Sequence, residues 1–390
     1  GDLDLMVGNG GNQVGDEKLY RARLYINNGK GIFEASNVNL PSSFKNIAVI
    51  APEDFDNDGD MDVFIGSRSV VGNYGLDPDH LFLENNGDGT FTDATERLAY
   101  DTKQAGMVTD ALWIDIDGDK KKDLITVADW GKPIIYKNSG KRLSKLSTAL
   151  DSLSGWWNVV SAEDLDNDGD FDLIIGNQGS NVPYSCSKAN PMKLWVNDFD
   201  NNGTIEQITT RNFEGKDYPI HQKKELTTQM VALKKQNLKS SEYAKRTIDE
   251  LFSSDTFINS IVKEGTVQES VIAINEGGGK FTIKKLPGRV QLSCVCGITC
   301  ADVNNDGYLD LIMGGNNFEF KPQYSRLDAN FGSILLGNDK LDFKWQNYDE
   351  SGFFIKEEVK HIEQFKGKNG KKFVILALND NKPKVFALDE

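Results

Sequence analysis

Short apolar runs alternate along this chain with turns rich in Asp, Asn and Gly. Val63-Phe64-Ile65-Gly66, Leu173-Ile174-Ile175-Gly176 and Leu311-Ile312-Met313-Gly314 each follow an acidic turn and read as buried β-strands. Apolar runs also precede the turns, as in Ile47-Ala48-Val49-Ile50 and Ala111-Leu112-Trp113-Ile114, so each acidic turn is predicted to close a β-hairpin. A second signal recurs between them. Leu24 to Gly29, Leu81 to Gly87, Ile134 to Gly140 and Val271 to Gly277 each run from apolar residues into an Asn- and Gly-rich turn that supplies positive φ. A repeating unit then reads as inner strand, acidic turn, second strand, long connection and outer hairpin.

The acidic turns have the spacing of a calcium loop. Asp54, Asp56, Asp58, Asp60 and Asp62 occupy alternate positions with Gly59 at the sixth, where the backbone must bend sharply. Asp164, Asp166, Asp168, Asp170 and Asp172 repeat this almost letter for letter. Asp302, Asn304, Asp306 and Asp310 form a third version, and Asp198, Asp200, Asn202 and Glu206 a fourth. Asp115, Asp117, Asp119 and Asp123 keep the carboxylates but put Lys120 at the glycine position, so this loop is expected to hold a cation least well. An EF-hand is excluded, because position 12 is Ile65, Thr126, Ile175, Thr209 or Met313 rather than a bidentate Glu. The expected cofactor is several structural Ca²⁺ ions.

The turn-closing residues Asp4, Asp62, Asp123 and Asp172 follow one another at 58, 61 and 49 residues, a pitch suited to four-stranded propeller blades. The predicted fold is all-β, one β-propeller over residues 1–390 with about seven blades, six or eight being alternatives. The β pattern stops in one long connection, where a helical insertion is expected over residues 211–268. The chain opens inside a repeat at Gly1-Asp2-Leu3-Asp4, so upstream domains of the same chain are expected partners. Three of the four cysteines, Cys294, Cys296 and Cys300, fall at same-face positions of one predicted strand and read as small buried side chains unable to pair easily.

These residues resemble the FG-GAP or VCBS repeats of integrin-like β-propellers. Gly66-Ser67-Arg68, Gly155-Trp156-Trp157-Asn158, Val196 to Gly203 and Leu327-Asp328-Ala329 are similar to the C-terminal propeller of secreted bacterial proteins that carry ASPIC/UnbV domains. The resemblance implies an exported protein, extracellular, at the cell surface or periplasmic, and leaves its ligand open.

In such a blade the calcium loops share one face, and the ends of the second strands ring the channel mouth on the other. Arg68, Asp129, Asn177 and Asn316 fall there, with Asn9 and Asn379 completing the series. Tyr74, His80, Trp130, Trp156, Trp157, Asn181, Tyr184, Tyr324, Arg326 and Asp328 lie nearby in sequence. Planar amides, Arg and aromatic faces suit a glycan, though a protein ligand fits the same surface. The net charge of -15 is carried largely by the calcium loops, which hold 20 of the 59 acidic residues, and excludes nucleic acid as a partner. No run is long enough to insert into a membrane. Three histidines and no recognisable catalytic motif favour a non-catalytic binding or adhesion module. A polysaccharide lyase or hydrolase at the channel mouth is the alternative.

Overall fold

The computed structural model describes residues 2–11, 19–36, 40–41, 45–320 and 326–388. Its strands form seven antiparallel sheets, of which six follow the repeat in chain order. The second is representative: Asn46–Glu53, Asp62–Ser69, Leu81–Asn85 and Phe91–Asp93 pair in sequence order, with the Asp54 loop joining the first two. The third blade repeats this with Met107–Ile114, Asp123–Gly131, Ile134–Asn138 and Leu143–Leu146. The fifth does so with Val295–Ala301, Asp310–Gly315, Ser333–Leu336 and Lys344–Trp345. The first and last sheets have three strands each, Leu5–Val7, Arg23–Asn27 and Phe33–Ser36, and Val359–Lys366, Lys372–Leu378 and Lys384–Ala387.

The chain is a β-propeller whose blades pack face to face. The core accordingly divides into one apolar cluster per blade interface. Phe55, Phe64 and Phe82 of the second blade meet Val108, Leu124 and Tyr136 of the third, and Ile125, Val127 and Trp157 meet Leu173, Ile175 and Val271 across the next interface. The second strands are apolar on both sides because a neighbouring blade covers each face.

The seventh sheet is an insertion. Within the fourth blade, Val159–Glu163 and Asp172–Gly176 are followed by a long excursion before Val271–Asn275 and Phe281–Lys285 complete the sheet. The excursion forms its own sheet from Met192–Asn197, Glu206–Phe213, Lys216–Pro219 and Ile261–Gly265, with the Asp198 loop at its first hairpin. Five short helices between Lys223 and Ile258 cover it, burying Leu226, Met230, Leu233 and Leu251 against Trp195 and Ile208. The inserted unit is therefore wider than residues 211–268. Its strands were hidden because a hairpin with an acidic loop looks locally like another blade.

Candidate functional site

Two places concentrate polar chemistry, at opposite ends of the second strands. Asp62 opens the strand Asp62–Ser69 from the acidic loop and Arg68 lies at its far end, so the loops and the Arg68 end occupy different faces.

The loops share one internal wiring. Both oxygens of Asp54 accept backbone N–H bonds within the loop, from Asp58 at 3.1 Å and Gly59 at 3.2 Å. Asp164, Asp198 and Asp302 do the same in their own loops. The ninth residue is a buried clamp. Asp62 accepts from Phe55 N at 3.3 Å and from Asn85 N on the third strand at 2.9 Å, and Asp123, Asp172 and Asp310 repeat the pair. Burial pushes the carboxyls of Asp62, Asp123 and Asp172 up to about 6. Position 4 takes positive φ in every one of these loops, 61° at Asn57 and 62° at Asn167, with Gly118 at 77° in the odd loop. Lys120 there adopts 69°, a left-handed conformation that glycine holds elsewhere.

The donor sets fit a hard divalent cation. Oxygens of Asp54, Asp56 and Asp58 lie within 4.8 Å of one another, as do those of Asp164, Asp166 and Asp168, of Asp198, Asp200 and Glu206, and of Asp115, Asp117 and Asp123. Asp60 Oδ1 and Asp200 Oδ1 are shielded from solvent yet accept no hydrogen bond, as expected of oxygens aimed at a cation. Burial and the adjoining carboxylates raise Asp56 and Asp166 above the ordinary carboxylate range. The third blade differs. Lys137 Nζ pairs with Asp117 and stands 3.4 Å from Asp119, and these bonds, with Lys121, outweigh burial and hold Asp119 below the usual range. In the Asp302 loop, Asn304 donates to Asp306 Oδ2 at 2.9 Å.

At the other face lies an open cavity of about 910 Å³. Arg68, Tyr74, Asp129, Trp130, Trp156, Asn316 and Asn379 from the expected ring line it, joined by Tyr184. Tyr74 Oη donates to Asp129 Oδ2 at 2.6 Å, and Arg68 Nη2 stands 3.6 Å from the same oxygen. Trp130 and Trp156 meet edge to face with centroids 4.8 Å apart, and Tyr184 adjoins Trp156 at 6.2 Å. Trp130 holds φ at +52°, a strained conformation for a bulky side chain, fixed between Asp129 and Gly131 where Gly155–Trp156 pairs with that strand.

Other expected ring members sit elsewhere. Trp157 is fully buried between the third and fourth blades, packed in the core and away from the cavity. His80 is buried, its Nδ1 accepting from Ser67 N at 3.0 Å. Asn177 is buried and accepts from Trp156 N at 3.2 Å, so it positions Trp156 from beneath. Asn181 is exposed and donates to Leu292 O, and Arg326 and Asp328 are exposed and pair with each other at 2.8 Å. Tyr324 lies outside the described residues. Sequence reasoning missed Glu358, Lys360, Gln178 and Thr109 in the lining, and Thr209 and Ile220, which the inserted sheet brings to its rim. It also missed that Cys294 and Cys296 line the cavity with sulfurs 3.4 Å apart.

The FG-GAP-like repeat family matches residues 1–65 and 115–175, the spans holding the first acidic loops and their strands. The chain is a β-propeller that carries FG-GAP-like repeats. Among solved structures, this FG-GAP propeller is similar to Sqt1 of Saccharomyces cerevisiae, at 12% identity over 95% of this chain and 79% of that one, with a TM-score of 0.41. An endo-1,4-beta-xylanase from Bacteroides thetaiotaomicron matches at 9% identity over 89% of this chain and 92% of that one, TM-score 0.32. The V. cholerae biofilm matrix protein Bap1 matches at 11% identity over 97% and 84%, TM-score 0.28. No curated protein matches the FG-GAP chain. Among its described residues, no helix is long and apolar enough to cross a membrane.

Proposed function

We propose that this propeller is a calcium-stabilised, non-catalytic binding module, exported to the bacterial cell surface or periplasm, that takes a glycan in the cavity opposite its calcium loops. The observation that carries the reading is the cavity wall. Trp130 and Trp156, each 7% exposed, and half-buried Tyr184 form the apolar part of the wall, while Arg68, Asp129, Gln178 and Asn158 offer hydrogen-bonding groups beside it, the combination a sugar ring needs. Charges in the wall are largely paired, Arg68 with Asp129 and Lys360 with Glu358 at 2.5 Å, which favours a neutral glycan over a polyanion. The aromatic cluster is held before any ligand arrives, by Asn177 beneath Trp156 and by the Gln178 bond to Tyr184 Oη at 3.0 Å, so little ordering is required on binding.

On the loop face, Asp54, Asp56 and Asp58 and their counterparts would hold Ca²⁺, which would add a link between first and second strands and neutralise clustered carboxylates. The protein's own contribution there is the clamp residue, which ties the loop to the third strand.

An array of neutral oligosaccharides, followed by calorimetry on any hit, tests the reading. Binding that Trp156→Ala or Arg68→Ala weakens at least about tenfold supports it. Absence of binding to any glycan overturns the glycan assignment, and new reducing ends or unsaturated products would replace the binding module with a hydrolase or lyase.

A further inference from the structure

The glycan reading leaves two groups of the cavity wall unused, the thiols of Cys294 and Cys296. Side chains two residues apart on a regular strand share a face but stand roughly 7 Å apart, which is why the sequence reads as two unpaired thiols. The ladder to Asp310–Gly315 slips between Val295 and Gly297, so Cys296 is the extra residue of a β-bulge. The distortion brings its Sγ to 3.4 Å from Cys294 Sγ. Gly315 permits the approach, because a Cβ at that position would fall 1.7 Å from Cys294 O. Both residues line the open cavity, Cys294 buried and Cys296 half-buried, whereas Cys300 is sealed among the apolar residues between the fourth and fifth blades. None of the four cysteines is in a disulfide. Lys360, Glu358 and Arg68 share the wall, and the adjoining Cys294 thiol, opposed by burial and Glu358 and assisted by the two cations, holds Cys296 below the ordinary thiol range while Cys294 is raised.

We propose that Cys294 and Cys296 form a redox-active dithiol at which the cavity undergoes thiol–disulfide exchange with a small disulfide. The Cys296 thiolate attacks one sulfur of the incoming disulfide, and the other sulfur departs and is protonated as a thiol. Cys294 gives up its proton and attacks Cys296 Sγ, breaking the mixed disulfide and releasing the second thiol. Two electrons and two protons pass in total to the incoming molecule, which leaves as two thiols, and the protein keeps an internal Cys294–Cys296 bond. This exchange needs the open cavity and does not depend on a sugar being its ligand.

Oxidised glutathione is the probe. The intact chain is equilibrated in glutathione buffers of increasing oxidising strength, exchange is quenched with acid, the chain is unfolded in denaturant, remaining thiols are alkylated, and peptides are weighed. The expected result is simultaneous protection of Cys294 and Cys296, with the peptide lighter by two hydrogens, and continued alkylation of Cys186 and Cys300. Cys294→Ser is expected to trap a stable glutathione adduct on Cys296, a product that a merely structural cysteine would not give. Alkylation of all four cysteines of the wild-type chain in the most oxidising buffer overturns the proposal, as does glutathione found on each cysteine separately with no internal bond.

Discussion

At the residue scale, the buried asparagines that end the third strands show how one side chain sets the spacing of two blades. Asn138 donates to Lys122 O within its own blade at 3.1 Å and to Phe55 O in the preceding blade at 2.9 Å. Asn275 does the same with Phe171 O and Ile116 O, at 3.3 and 2.9 Å. Among the described residues, the Asn85 amide donates only within its own blade, to Met61 O. Asn138→Ala is therefore expected to cost about 2–3 kcal/mol in urea unfolding, since it strands a buried carbonyl as well as losing a bond, and Asn85→Ala about 1 kcal/mol. Equal losses would show that the bond between blades contributes nothing. His80 supplies a test by pH. Its burial lowers its folded value to about 4, below the 6.5 of the unfolded chain, so the unfolded state binds the extra proton between those values. The stability this neutral imidazole contributes is complete above pH 6.5 and is lost as pH falls towards 4. His80→Gln is expected to flatten the stability profile across that window relative to wild type, and parallel profiles would contradict it. Asp110, raised to about 6 by burial, acts in the opposite sense and is common to both proteins.

At the scale of the elements, the hairpins were legible because their loops combine carboxylates at alternate positions with a residue of positive φ, a pattern few other structures require. What occupies each loop was only partly legible. Lys120 marked the Asp115–Asp123 loop as unusual, but the residue that faces its carboxylates is Lys137, on the next strand. The corresponding position is Glu84 in the second blade and Ile274 in the fourth, and no local pattern around Asp115 announces the difference. Lys137 supplies this loop with a positive charge of its own. Equilibrium dialysis of Lys137→Met is accordingly expected to show one more calcium ion retained than wild type at the same free concentration. Unchanged uptake would mean that the ammonium does not compete with the metal. The β-bulge at Cys296 was illegible for a related reason, since strict alternation along a strand is broken there by packing against Asp310–Gly315.

At the scale of the whole molecule, repetition announced the propeller and the insertion obscured its count. Among the described residues six sheets follow the blade pattern, and the seventh is carried by a connection of the fourth blade. Its acidic hairpin imitates a blade, and only long-range pairing of Asp172–Gly176 with Val271–Asn275 reveals the detour. The insertion bears on the cavity as well. Met192, Leu194 and Val196 pack against Trp130 and Trp156, and Thr209 and Ile220 reach the rim. Shape and aromatic content at the cavity thus depend on a unit outside the repeat. Thermal unfolding with and without calcium tests the account most directly, because the loops recur through the blades and a cation in each would join neighbouring strands. In millimolar calcium the unfolding temperature is expected to exceed that in EGTA by more than about 5 °C, with calcium retained after dialysis. Superimposable melting curves, with no ion retained, would contradict it.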